Sequence, residues 1–107
     1  MSVPEIAVDE LAGFLAAGAV VIDVREPDEY AAGHIPGAWP LPLGEVAARH
    51  GEVPTDQPVY LVCRSGARSL RAAEYLRGVG VDAVNVAGGT LAWVDAGRAV
   101  VAGPDAT

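Results

Sequence analysis

Cysteine is almost absent from this chain of 107 residues: Cys63 stands alone. A single thiol cannot close an internal disulfide, nor can it build a multi-cysteine zinc site. It fits a reducing compartment, and any redox cycle it enters needs an outside partner. Lysine is missing altogether. The seven basic residues are all arginine and face 14 acidic ones, for a net charge of −7. A surface of that sign suits neither nucleic acid nor an anionic membrane, so neither is an expected partner. Long apolar runs are lacking too. The uncharged stretch from Leu11 to Ile22 is broken by Gly13 and Gly18 and falls short of the ~20 residues that cross a bilayer. No basic residue precedes Arg25, unlike a signal peptide, and the cytoplasm is the expected compartment. Neither an internal repeat nor a low-complexity linker is evident.

What is present suits one globular unit. Hydrophobic residues make up 51% of the chain, enough for a core without staples. The length predicts a single domain over residues 1–107, with 98–107 as a loosely held tail of turn formers. Continuous β-branched runs predict buried strands at Ala19–Val24, Pro58–Cys63 and Asp82–Val86. Shorter strands are expected at Glu5–Ala7 and Ala38–Leu41, where prolines favour a sheet edge. Between them lie helical patterns. Val8, Leu11 and Leu15 share one face, with Asp9 as the expected cap and Gly18 as the stop. Pro27 opens a short helix that Gly33 ends. Leu43, Val46 and Ala47 predict another. Ala72, Ala73, Leu76 and Val79 form a stripe on a helix read as Leu70–Arg77, and Thr90–Ala96 forms the last. Strands alternating with helices predict an α/β fold: a small parallel five-stranded sheet with helices on both faces.

In such a sheet, ligands bind beyond the carboxyl ends of the strands. Cys63 ends a central strand there. The stretch Cys63-Arg64-Ser65-Gly66-Ala67-Arg68-Ser69 then leads into a helix. Strand, tight loop and helix start turn several backbone N–H groups inward and make an anion site. A cysteine at its rim is expected to be a thiolate near neutral pH. Gly66 lets the backbone curl, and Ser65 and Ser69 can add hydroxyl donors. Four of the seven arginines lie between Arg64 and Arg77, a local basic patch that points to a small anionic ligand.

This loop resembles the active-site loop of the rhodanese family. Three further segments agree with that family in order and spacing: Asp23-Val24-Arg25-Glu26-Pro27-Asp28-Glu29-Tyr30, Gly33-His34-Ile35-Pro36-Gly37-Ala38 and Gly88-Gly89-Thr90-Leu91-Ala92-Trp93. Each motif alone is weak; four in register are specific, and they extend from about Glu5 to Arg98. The resemblance implies a two-step sulfur transfer, with Cys63 as the catalytic nucleophile and a persulfide as the intermediate. The implied donor is thiosulfate or a related small anionic sulfur compound. The implied acceptor is cyanide, a thiol or a protein. Arg64, Ser65, Gly66, Ala67, Arg68 and Ser69 would form the substrate-binding loop, with Arg68, and secondarily Arg64, on the donor's sulfonate oxygens. No cofactor and no metal are implied, and a monomer is the expected state.

Other residues receive structural readings. Asp23 and Arg25 are expected to pair beneath the loop, and His34 to sit in a turn away from the cysteine. Trp39 and Trp93 are read as core or rim packing, with the pocket border as the alternative for Trp93, and Gly88 and Gly89 as points of close backbone approach. Two rivals are weaker. A related phosphatase or arsenate reductase places five residues between its cysteine and arginine, whereas only four separate Cys63 from Arg68. A non-catalytic or relay protein-binding module on the same fold is the other alternative, since fold does not fix function.

Overall fold

The computed structural model describes residues 3–106. Its elements alternate as the patterns predict. They are β1 (Glu5–Ile6), α1 (Val8–Ala16), β2 (Val20–Asp23), α2 (Pro27–Ala32), β3 (Trp39–Pro40), α3 (Val46–Arg49), β4 (Val59–Val62), α4 (Ala67–Gly78), β5 (Ala83–Val86) and α5 (Gly89–Asp95). Short 3-10 turns at Leu43–Glu45 and His50–Glu52 flank α3. The five strands form one sheet in the order β1-β5-β4-β2-β3, with every pair parallel. The two short proline-bounded strands are its edges, as proline's missing donor requires.

Alternation along the strands sends side chains to two apolar layers. Leu61, Cys63 and Ala83 face Val46 of α3 and Ala72, Ala73 and Leu76 of α4. Tyr60, Val62, Val84 and Val86 face Val8 and Leu11 of α1 and Trp93 of α5. Helices therefore cover both faces. Glu5, Asn85, Leu61, Ile22 and Trp39 are register partners across the five strands, so one row runs the full width of the sheet. Asn85 is the one amide in that row.

Three local expectations need correction. The helix after Cys63 begins at Ala67, not Leu70, because Gly66 takes the left-handed conformation (φ +112°) that lets the chain turn into a helix at once. Arg68 and Ser69 are thus helical, in its first turn. Asp9 is not the cap of α1; Ala7 holds that position, and its N–H donates to the Glu10 carboxylate at 3.3 Å. The segment after Arg98 is tied down. His34 and Val101 exchange two backbone bonds of 2.9 Å, Gly103 N–H donates to Ala31 O at 2.8 Å, and Trp93 Nε1 donates to Ala99 O at 2.9 Å. Its composition offered no periodicity, but backbone pairing needs none. Thr107 lies outside the described residues.

One buried ion pair fixes the loop end of β2. Arg25 donates to Asp23 through Nη2 at 2.7 Å and Nε at 3.0 Å, and Nη2 also donates to Gly33 O at 2.8 Å, at the end of α2. Both side chains are almost fully enclosed. Arg25→Met should therefore strand a buried carboxylate and cost about 3–5 kcal/mol. Arg49→Met, which breaks only exposed pairs with Glu45 and Glu52, should leave the urea unfolding midpoint unchanged. Equal losses in the two variants would contradict a structural role for the buried pair.

Candidate active site

Cys63 follows the last residue of β4 and is 1% exposed, with its side chain under the first turn of α4. Gly66 N–H donates to its Sγ at 3.1 Å. Ser69 Oγ lies 3.4 Å from the same sulfur. Burial works against an ionised sulfur and pushes the thiol up. The Ser69 hydroxyl and the backbone N–H groups of Ser69, Gly66 and Ser65 act the other way and win, so the thiol lies below its ordinary value. Arg68 adds a positive charge close by.

The cradle is held from behind by α5. Thr90 N–H donates to Cys63 O at 2.9 Å, and Leu91 N–H donates to Arg64 O at 3.0 Å. Both carbonyls point away from the sulfur, which leaves N–H groups facing it. This contact explains the paired glycines. Gly89 has φ +56°, and a Cβ there would stand 2.4 Å from Cys63 O and 2.8 Å from Arg64 O. The glycines permit close backbone approach, as the sequence suggested, and the first N–H donors of α5 are spent on the loop itself.

Arg68 does not lie open above the loop. Its guanidinium grips Glu29 of α2 with two bonds of 2.7 and 2.9 Å. Hydrogen bonding to Arg68 holds the Glu29 carboxyl at about 2. Two cavities flank this pair. One of about 500 Å³ is lined by Leu43, Val46, Ala47, Arg68, Arg71 and Tyr75 among others. The other, of about 290 Å³, is lined by Arg25, Glu29, Arg64, Thr90, Leu91 and Val94 among others. Arg64, Ser65 and Ala67 are exposed at the rim, and Arg64 makes no ion pair among the described residues.

The structure thus brings Cys63, Gly66 and Ser69 into direct contact, and the expected pairing of Asp23 with Arg25 is present. His34 is enclosed and stacked on Tyr30, with Nδ1 2.9 Å from Tyr30 O, on the element leading away from the loop. Two residues escaped sequence reasoning. Glu29 reads only as a favourable charge in the first turn of α2, and its partner is remote in sequence. Asn85 carries a usable signal: an amide in an apolar strand, on the sheet face that alternation gives to Cys63.

With this geometry in hand, comparison with known proteins is decisive. Residues 7–96 match the profile of the rhodanese-like domain. The chain belongs to the rhodanese-like domain family. The thiosulfate sulfurtransferase GlpE of Pseudomonas entomophila is 44% identical over 79 residues, which cover 73% of this chain and 72% of that one. The uncharacterized protein YqhL of Bacillus subtilis is 47% identical over 76 residues, 70% of this chain. This chain spans only 60% of the length of that relative. A crystal structure of a rhodanese-related protein from Thermoplasma volcanium superimposes with a TM-score of 0.86 at 32% identity, covering 92% of this chain and 97% of that one. The five-stranded parallel α/β fold is therefore that of the rhodanese-like domain. Among the described residues no helix is long and apolar enough to cross a membrane.

If backbone contact behind the loop sets the cradle, Gly89→Ala should cost more than ~1 kcal/mol of stability and slow alkylation of Cys63. Gly97→Ala is the control, since Gly97 also has positive φ (+78°) but open space around it. It should lose stability without changing Cys63 reactivity. Native reactivity in Gly89→Ala would show that the contact does not shape the loop.

Proposed function

We propose that this rhodanese-like domain is a sulfurtransferase that carries a sulfane sulfur on Cys63 as a persulfide. The observation that carries the reading is the buried Sγ with Gly66 N–H aimed at it from 3.1 Å, inside a loop whose Cys63 and Arg64 carbonyls are turned to α5. The Cys63 thiolate attacks the outer sulfur of thiosulfate. An Sγ–S bond forms, the S–S bond of the donor breaks, and sulfite leaves with the electron pair. The outer persulfide sulfur then carries the negative charge, which inward N–H groups and the start of α4 are suited to stabilise. Cyanide, a thiol or a protein acceptor attacks that outer sulfur, and Cys63 departs as thiolate. The cycle is covalent catalysis with ping-pong kinetics.

Arg64, unpaired and exposed, meets the anionic donor first. Arg68 holds it only by exchanging the Glu29 carboxylate for the donor's sulfonate oxygens, so Glu29 acts as a built-in competitor. The name of the Pseudomonas relative supports thiosulfate as one donor. The cavity of about 500 Å³ beside Arg68 falls within the ~300–1,000 Å³ that accommodates small organic ligands, so an organic persulfide or thiol fits as well. A protein acceptor is favoured by Leu91 and Val94, both exposed on α5 beside Arg64. The phosphatase reading finds no support here. Four residues, not five, precede Arg68, and its guanidinium is turned toward Glu29.

A thiocyanate-release assay tests this. Cys63→Ser should abolish turnover. Arg68→Ala should lower kcat/KM for thiosulfate about ten-fold or more, the worth of a charged hydrogen bond. Glu29→Gln should raise it about five-fold, by removing one charge–charge repulsion of ~1 kcal/mol. A loss in Glu29→Gln equal to that in Arg68→Ala would mean that the pair acts as structure, not as a binding element.

The pH profile follows from the same groups. Cys63 reacts as thiolate, so kcat/KM should fall as pH drops through its ionisation, and that fall should be centred below the ordinary thiol value. The Glu29 carboxyl, held at about 2, stays charged throughout that range and adds no second step. A profile that still climbs steeply above the ordinary thiol value would contradict the cradle.

A further inference from the structure

Behind Cys63 lies a polar chain that the sulfur chemistry above does not use. Ser69 Oγ is 2.6 Å from Asn85 Oδ1, 3.2 Å from Gly66 O and 3.4 Å from Cys63 Sγ. Three acceptors compete for one hydroxyl proton. Asn85 Nδ2 donates to Glu5 Oε2 at 2.8 Å and to Gly66 O at 3.3 Å. Both of its protons are placed, so its oxygen must face Ser69. Asn85 and Ser69 are buried, and Glu5 sits exposed at the sheet edge.

The short bond wins at rest: the Ser69 proton points to Asn85, and the sulfur meets the hydroxyl's lone pairs. A neutral thiol accepts that arrangement by donating its own proton to Ser69 Oγ. An anionic sulfur cannot. We propose that Asn85 is a positioning residue that holds the Ser69 proton away from Cys63 at rest and yields it when the sulfur becomes an anion.

This inference rests on the sulfurtransferase reading for its place in the cycle. Sγ is anionic when it attacks the donor and again when it leaves the acceptor-bound sulfur. In the persulfide between those steps, Sγ is bonded and the charge sits on the outer sulfur. The Ser69 hydroxyl therefore turns to Sγ for attack, back to Asn85 while sulfur is carried, and to Sγ again as the Sγ–S bond breaks and its electron pair returns to Cys63. The thiol's own proton passes to solvent when Sγ first ionises; after that no proton is exchanged between attack and departure, and one hydroxyl rotates. Asn85 is the counterweight that keeps the resting thiol from being overcommitted to the anion.

The charged groups around the sulfur are Arg68 on α4, Glu29 behind it on α2, the Asp23–Arg25 pair at the end of β2, Arg64 on the loop, and Glu5 on β1. Only Glu5 is linked to the sulfur through Asn85 and Ser69.

The test is the pH dependence of iodoacetamide alkylation of reduced Cys63, which needs no sulfur transfer and so stands whether or not the enzymatic reading holds. Asn85→Val keeps a strand-forming residue and removes the competing acceptor. It should lower the apparent Cys63 pKa by about half a unit to a unit, the size of one hydrogen bond. Ser69→Ala should raise it by a similar amount. The pair of substitutions should match Ser69→Ala alone, because Asn85 acts through Ser69. An unchanged pKa in Asn85→Val, or the same fall when Ser69 is absent, overturns the proposal. Should Asn85→Val not fold, the exposed Glu5→Gln loosens the Asn85 amide without touching the core. It should give a smaller fall that again requires Ser69; a fall that persists in Ser69→Ala is a charge effect and refutes the relay.

Discussion

The site depends on one constraint: two carbonyls of the cysteine loop must point away from the sulfur. Thr90 and Leu91 enforce this by donating their N–H groups to Cys63 O and Arg64 O. Helix starts have donors without partners, and here a second chain segment consumes them. The peptide planes that result present N–H groups to Sγ. The rest of the design serves that contact. Gly89 lets α5 approach, Gly66 lets the loop close into α4, and parallel pairing of β4 with β5 brings the two helix starts together. Backbone N–H groups and the Ser69 hydroxyl together make the electropositive cradle.

That arrangement explains how a protein of net charge −7 can hold an anion. The attraction is local. Arg64 stays free at the rim, while Arg68 is moderated by Glu29 and Arg25 by Asp23. Charge near the sulfur is thus graded, from unpaired at the mouth to fully compensated at the base. A buried thiol alone would be pushed toward neutrality; hydrogen bonds to the sulfur reverse the direction. In this account acidity belongs to the loop, and selectivity belongs to the arginines and their partners.

Much of this was legible in the sequence. The three long strands were clear because β-branched runs such as Val20–Asp23 and Val59–Val62 have no competing period. The edge strands were clear because their prolines bar them from the middle of a sheet. Cys63 and Gly66 announced the loop; the paired glycines announced a close backbone approach but not that the cysteine loop is what they approach. Helix boundaries were less clear: Ala67, Arg68 and Ser69 look like loop residues until Gly66 is known to turn the chain, and no side-chain cap marks the start of α4. The tail was misread because two backbone bonds between His34 and Val101 leave no trace in composition. Glu29 stayed hidden since its partner lies 39 residues away, and a lone carboxylate in a first helical turn has a local reason to exist. Asn85 stayed hidden because alternation identifies the face of a strand, not what lies above it.

The central claim is that the N–H cradle makes Cys63 a sulfur carrier. Intact mass after brief exposure to thiosulfate tests it most directly, with Cys63→Ser alongside. The account predicts a gain of one sulfur atom in the native protein only, reversed by cyanide. A folded, reduced native protein that gains no sulfur from thiosulfate or from an organic persulfide would contradict it.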